Sequence, residues 1–372
     1  MRTNSYKRIM LPEYAASQED AVNRVLQLVE MDEPDPSSLG PHDVIVAVKS
    51  ASISFVDLLM MSGQYQHMVP LPCTPGMEYA GVVTAVGKDV DAQRLKVGDA
   101  VYSDIMLTGP RSKGAYQANG GWASFAIAPD YALQRVPASF SFDQACNFLY
   151  GYETAHYALT TRGKIQPGET VLINGASGAT GMAGVQVAKI LGAQVIATGR
   201  SRGKLELVKS FGADHVIDTS DPNNPHAVRR FRDEVKALTG GEGAHMVYDT
   251  VGGALSEECM RSLRFAGRHV IVGWAGNTNV AKGHGQRGSD NADRLPTNIV
   301  QMKGLYVMGS PMAIHAQRDM STRTERMKDI NAWAAEGRIT PYVSHTSPLD
   351  NFREAMRARL QGTVTGGCVL NP

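Results

Sequence analysis

Long apolar runs are missing from this 372-residue chain. No stretch approaches the ~18–20 uninterrupted apolar residues that a membrane-spanning helix needs, so no membrane insertion is expected. An excess of one charge is missing too. The 37 Lys and Arg balance 36 Asp and Glu, which argues against a polybasic nucleic-acid binder or an acidic tail protein. Cysteine is scarce: Cys73, Cys146, Cys259 and Cys368 stand far apart with no CxxC pair. They read as reduced structural thiols of a cytoplasmic protein, not as a disulfide framework. Behind the charges of Met1–Lys7 no apolar h-region follows, so no secretory signal is visible. Neither internal repeats nor low-complexity segments occur.

The residues present suit packed cores. Hydrophobic residues make up 43% and charged residues 20%, which rules against extended disorder, and the length predicts two domains. Over the first ~140 residues, short apolar runs alternate with Gly and Pro turns. His42–Ser50, Gly76–Gly87, Val97–Tyr102 and Trp122–Ile127 read as strands of a compact β module. Ser103–Gly121 is long for a loop and therefore a functional candidate. After Tyr150 strands alternate with helices. Glu169–Asn174, Gln194–Thr198, His215–Asp218, Met246–Asp249 and Arg268–Val272 are the strands, with helices over Val185–Leu191 and Lys204–Phe211. That alternation predicts a parallel, doubly wound sheet. A polar insertion spans Ala275–Leu295. A last helix, Asn351–Leu360, and strand, Gly367–Leu370, are expected to rejoin the first module.

Between the first strand and helix of the second half lies Gly175-Ala176-Ser177-Gly178-Ala179-Thr180-Gly181. A dinucleotide site needs small residues where the strand turns, where backbone approaches a pyrophosphate and where helix packs on strand. Ala176, Gly178 and Gly181 take those three positions. Ser177, Ala179 and Thr180 complete the cradle, and the helix beyond would aim its N–H groups and dipole at the phosphates. An NAD site usually carries Asp or Glu at the end of the next strand. This chain has Thr198-Gly199-Arg200-Ser201-Arg202-Gly203-Lys204 instead. Arg200, Arg202 and Lys204, with the Ser201 hydroxyl, suit a 2′-phosphate, so NADPH is the expected cofactor.

With that cradle placed, the chain resembles the medium-chain dehydrogenase/reductase superfamily, in its zinc-independent quinone oxidoreductase and enoyl reductase branch. The resemblance rests on Ser52–Leu59, Gly63-Gln64-Tyr65, Leu71-Pro72, Pro75–Val83, Val97–Val101, the cradle itself, Leu207–Ile217, Asp249–Gly253, Leu295–Asn298 and Gly337–Pro341. It implies an α/β protein with a GroES-like β-barrel domain plus a doubly wound Rossmann domain. The expected boundaries are 1–150 for the first part of the barrel domain, 151–305 for the Rossmann domain and 306–372 for a return segment. A homodimer is also implied by the resemblance.

Zinc members carry Cys, His and Cys where this chain has Ser54, Met77 and Tyr150. No cysteine occurs between Cys73 and Cys146 to build a four-cysteine lobe. No metal site is therefore expected. Without a Lewis acid, reduction of a substrate that delocalises charge itself is favoured over alcohol oxidation.

The resemblance assigns further roles. Tyr65 matches a tyrosine near the transferred hydride and is the candidate catalytic proton donor. Ser54, Thr154, Asp249, Gly252 and Asn298 match positions around the cofactor. His67 and His156 read more readily as structural histidines, and Met60, Met61, Met68 and Met77 as core or as an adaptable pocket. The expected activity is NADPH-dependent reduction of quinones or of activated C=C bonds of α,β-unsaturated carbonyl compounds, with a small molecule as the only partner besides a second copy. Two alternatives stand: a 2-enoyl-CoA reductase using Arg111, Lys113, Lys282 or Arg287 on CoA phosphates, and an NADPH-binding protein of little turnover acting through partners.

Overall fold

A computed structural model describes residues 6–276 and 294–372. The chain divides into two compact units: residues 6–150 with 340–372, and residues 151–276 with 294–339. Among the described residues no helix is long and apolar enough to cross a membrane. All four cysteines are buried and unbridged.

In the first unit a seven-stranded sheet is organised on the ten-residue strand Asp43–Ser52. Val44, Ile45, Val46 and Val48 are buried in succession, so this strand is covered on both faces. One edge pairs with Tyr79–Val86. The other edge is shared: residues 43–47 pair with Phe125–Pro129, while Ala51 and Ser52 pair with Gly367–Asn371. The end of the chain thus closes the sheet that its beginning opened. Val343–Pro348 flanks the C-terminal strand, and Ala100–Ser103 and Leu133–Arg135 extend the sheet beyond Tyr79–Val86. The segment after Ser103 is a loop, as expected, but its first half is packed. Asp104, Ile105, Thr108, Arg111 and Ser112 are each at most 3% exposed, and the chain becomes exposed at Lys113.

The second unit is a six-stranded parallel sheet in the order His215–Asp218, Gln194–Gly199, Thr170–Ile173, Ala244–Asp249, Leu263–Ile271, Tyr306–Gly309. Numbered along the chain that order is 3-2-1-4-5-6, the doubly wound dinucleotide-binding arrangement. Val171, Leu172 and Ile173 are all fully buried, as expected of a central strand with helices on both faces. On one face Leu172, Ile196 and Val247 pack with Phe231, Val235, Cys259 and Met260.

The return segment begins later than residue 306. Tyr306–Gly309 is the sixth strand of this sheet, and helices Met312–Arg318 and Thr324–Ala335 stay with the unit until Ile339. Most of the 275–295 insertion, with Lys282 and Arg287, lies outside the described residues.

Candidate functional site

The cradle sits where the strand order reverses, between neighbouring strands Thr170–Ile173 and Ala244–Asp249. Ligands of such sheets bind beyond the carboxyl ends of the strands at this switch point. Strand Thr170–Ile173 ends in Asn174 and Gly175, and helix Ala179–Ile190 begins with Gly178 as its N-cap. No side chain caps that helix, so its first N–H groups and dipole face the crevice.

The glycines divide by cause. Gly175 has φ +61°, and a β-carbon there would lie 2.3 Å from Thr250 Oγ1; at Gly181 one would lie 2.3 Å from the Gly175 carbonyl oxygen. Both are demanded by the protein's own packing. Gly178 has an ordinary φ of −78°, and the nearest atom to an added β-carbon is the Gly175 oxygen at 3.4 Å. Among the described residues nothing requires glycine at 178, whereas a phosphate drawn close to the backbone does. The cradle therefore fits a dinucleotide. Ala176 is fully buried under it, and Ser177, Ala179 and Thr180 are half-buried. Gly175, the position with the left-handed backbone, escaped the sequence reading although it opens the run.

Strand Gln194–Gly199 delivers Arg200, Ser201 and Arg202 to the surface on the same side, all three exposed, with Lys204 half-buried one turn into helix Arg202–Ser210. Ser201 is the N-cap of this helix without capping it through its side chain. Opposite Gly199 in register stands Asp218. Its carboxylate accepts from the Ser220 N–H at 2.9 Å and from the Ser220 hydroxyl at 2.6 Å. Arg200 and Arg202 are exposed beside the cradle, and the Asp218 carboxylate lies close enough to feel the charge of Arg202.

Asp249 is placed differently from the expectation that it edges the ligand pocket. It is fully buried, and five donors take its oxygens: Asn174 Nδ2 at 2.5 Å, His269 Nε2 at 2.8 Å, the Ser256 hydroxyl, and the N–H groups of Val251 and Gly252 at 3.1 and 3.0 Å. Burial alone would raise its pKa, but these partners, His269 foremost, hold it at about 2. No lone pair is left for a nucleotide. Asp249 instead shapes the turn in which Gly252, at φ +82°, starts helix Gly253–Ser262.

Thr154 is 6% exposed on the helix ending at His156. That helix is anchored by Glu153, wholly buried between Arg323 (2.7 and 2.8 Å) and Arg326 (3.0 and 3.2 Å). His156 Nε2 lies 2.8 Å from Asp329 Oδ2, and its ring stacks on Trp333, a structural use. Asn298 is exposed at the start of helix Thr297–Lys303.

The first unit carries Ser54 and Tyr65. Ser54 caps helix Phe55–Met61: its hydroxyl donates to Asp57 Oδ2 at 2.7 Å and accepts from the Asp57 N–H, while its own N–H donates to the same carboxylate. That reciprocal cap occupies the hydroxyl that was expected on the cofactor. Burial pushes the Asp57 carboxyl up to about 6, against those hydrogen bonds and one from the Met77 N–H. Burial likewise pushes Glu78 up to about 8, although it accepts from the Tyr150 N–H at 2.9 Å. Tyr65 is 9% exposed, and the guanidinium of Arg111 stands 5.5 Å from its ring centroid. His67 Nε2 lies 3.1 Å from the Pro110 carbonyl oxygen and 3.0 Å from Gln117 Nε2, a loop-fastening role. Sequence reading singled out neither Asp57 nor Glu78; each was visible only as a carboxylate within an apolar run.

Known proteins agree with this architecture. Residues 40–138 match the family model for the alcohol dehydrogenase GroES-like domain, and residues 179–327 that for zinc-binding dehydrogenase. A quinone oxidoreductase-like protein 2 homolog of Nematostella vectensis is 33% identical over 346 residues, 92% of this chain and 86% of the relative. A mycobacterial protein solved in complex with NADPH superposes with a TM-score of 0.76 at 27% identity, covering 99% of this chain and 100% of that one. The quinone oxidoreductase of Pseudomonas syringae pv. Tomato DC3000 does so at 0.74 and 26%, with 99% and 100% covered. The chain belongs to the quinone oxidoreductase branch of the medium-chain dehydrogenase/reductase superfamily.

Proposed function

We propose that this protein is an NADPH-dependent, zinc-independent reductase of quinones or of the activated C=C bonds of α,β-unsaturated carbonyl compounds. The carrying observation is Gly178, whose missing side chain leaves room that only a close-approaching ligand requires, at an uncapped helix N-terminus flanked by exposed Arg200 and Arg202. NADPH, when bound, supplies the hydride. The N–H groups of Ala179, Thr180 and Gly181 hold the pyrophosphate. Arg200, Ser201, Arg202 and Lys204 hold the 2′-phosphate. Thr154, Gly252 and Asn298 border the remainder of the cofactor, with Asp249 fixing the turn that presents Gly252. Tyr65 holds the proton delivered to the reduced substrate, an acid role worth roughly 10²–10⁴-fold.

Zinc independence is supported by the residues at the would-be ligand positions. The Ser54 hydroxyl is committed to Asp57, Met77 is fully buried, and Tyr150 carries a phenol whose ionisation burial opposes. Among the described residues no group of three His, Cys, Asp or Glu side chains could hold a metal ion. Metal analysis of the purified protein should find substoichiometric zinc, with turnover intact after chelation. Stoichiometric zinc lost together with activity contradicts the reading. The substrate class is tested by following NADPH absorbance over a panel of quinones, enones, enoyl-CoAs and haloacrylates; turnover confined to enoyl-CoAs selects a different enzyme.

A further inference from the structure

We propose that Arg111 binds a carboxylate of the substrate, so that the preferred substrates are α,β-unsaturated carbonyl compounds bearing an acidic group. This assignment rests on the reductase reading above and narrows its substrate class. Arg111 is 1% exposed, and its Nε and Nη1 are buried without a hydrogen-bond partner among the described residues. A guanidinium is always charged, and a buried charge left unpaired is costly. The face of Tyr65, 5.5 Å away, offsets only part of that cost.

Among the described residues no neighbour supplies a counter-ion. His67, close enough to sense Arg111, is held toward its neutral form first by burial and then by that same guanidinium. Lys113 adds a second positive charge at the exposed end of the segment. Asp57 is taken up by the Ser54 and Met77 donors, and burial favours the protonated form of Glu78 at neutral pH. The described residues therefore leave the Arg111 guanidinium without a counter-ion beside the proposed proton donor. A planar carboxylate matches a guanidinium, and its place next to Tyr65 puts that anion at the reacting end of the molecule.

The test compares 4-oxopent-2-enoate with its methyl ester, two enones differing in one charge. Wild-type kcat/KM should favour the acid by about 100-fold, and Arg111→Met should abolish that preference. A turnover-free arm uses saturated 4-oxopentanoate in calorimetry: the wild type should bind it and Arg111→Met should not. If neither enone is reduced but this binding difference persists, the reductase reading fails and the anion site stands. Equal binding by both proteins, or a wild-type preference for the ester, overturns the anion site. Should Arg111→Met not fold, Arg111→Lys keeps the charge without the planar fork. It should then lose about 10-fold on the acid alone, and an unchanged acid rate overturns the assignment.

Discussion

A β-carbon at Gly181 would stand 2.3 Å from the carbonyl oxygen of Gly175, while one at Gly178 would meet that same oxygen at 3.4 Å. The two glycines of one cradle thus answer to different demands, and alanine separates them. Gly181→Ala forces backbone apart and should destabilise the fold by about 1–3 kcal/mol, seen as a lower Tm. Gly178→Ala should leave Tm nearly unchanged and weaken NADPH binding by about 30-fold or more, since its methyl group occupies the path of the pyrophosphate. Fluorescence titration and thermal unfolding of both variants check the pair. A Gly178→Ala protein that binds NADPH like wild type removes the phosphate from this position.

Tyr65→Phe keeps the ring that Arg111 covers and removes only the hydroxyl. Turnover of enones should fall by about 10²-fold or more with little change in NADPH affinity. Quinones should suffer less, because their reduced oxygens can take protons from water. Steady-state kinetics on one enone and one quinone decide it, and unchanged enone turnover makes Tyr65 a packing residue.

Glu78 makes stability depend on pH. Its carboxyl goes from an ordinary value of 4.5 to about 8 on folding, by burial first and by the charges of Asp57 and Asp104 next. The folded chain then binds more protons than the unfolded one. The stabilisation is therefore complete below 4.5 and is lost as pH rises through 8. A shift of that size corresponds to a loss on the order of 5 kcal/mol at this one group. Glu78→Gln keeps an oxygen for the Tyr150 N–H and cannot ionise, so the variant should lose less Tm than wild type between pH 5 and pH 9. Parallel Tm profiles contradict the assignment.

Much of this arrangement was legible in the chain itself. The buried strand Thr170–Ile173, the small-residue run behind it and the carboxylate-free turn at 200–204 are local patterns, and local patterns carry through to structure. Contacts distant in sequence were not legible. Tyr306–Gly309 is an apolar run that reads alike in either sheet, so the return to the first unit was expected at 306 instead of Thr340. Asp249 looked available because its partner His269 comes 20 residues later. Arg111 looked like a surface charge within a polar segment, and only the packing of residues 104–112 shows it buried.

The homodimer implied by family resemblance has a physical candidate edge. Among the described residues Tyr306–Gly309 ends the parallel sheet and pairs on one side only. Tyr306 is 61% exposed there, with Met302 at 69% and Phe265 at 72% nearby in sequence to the flanking elements. An open strand edge with exposed apolar residues invites a second copy. Light scattering should give a dimer mass for the wild type and a monomer for Tyr306→Lys combined with Val307→Lys. A wild-type monomer at micromolar concentration contradicts the pairing.

The choice between NADPH and NADH is the most direct test of the phosphate-binding turn at 200–204. Two charge-assisted contacts from the exposed turn, at ~1.4 kcal/mol each after screening, give about 100-fold preference for NADPH. Initial rates of nicotinamide oxidation, with a quinone or enone the protein reduces, should show that ratio in kcat/KM at physiological salt. Arg200→Ala with Lys204→Ala should raise the KM for NADPH and leave that for NADH nearly unchanged. Equal use of NADH and NADPH by the unmutated protein, or oxidation of neither with any acceptor, contradicts the account.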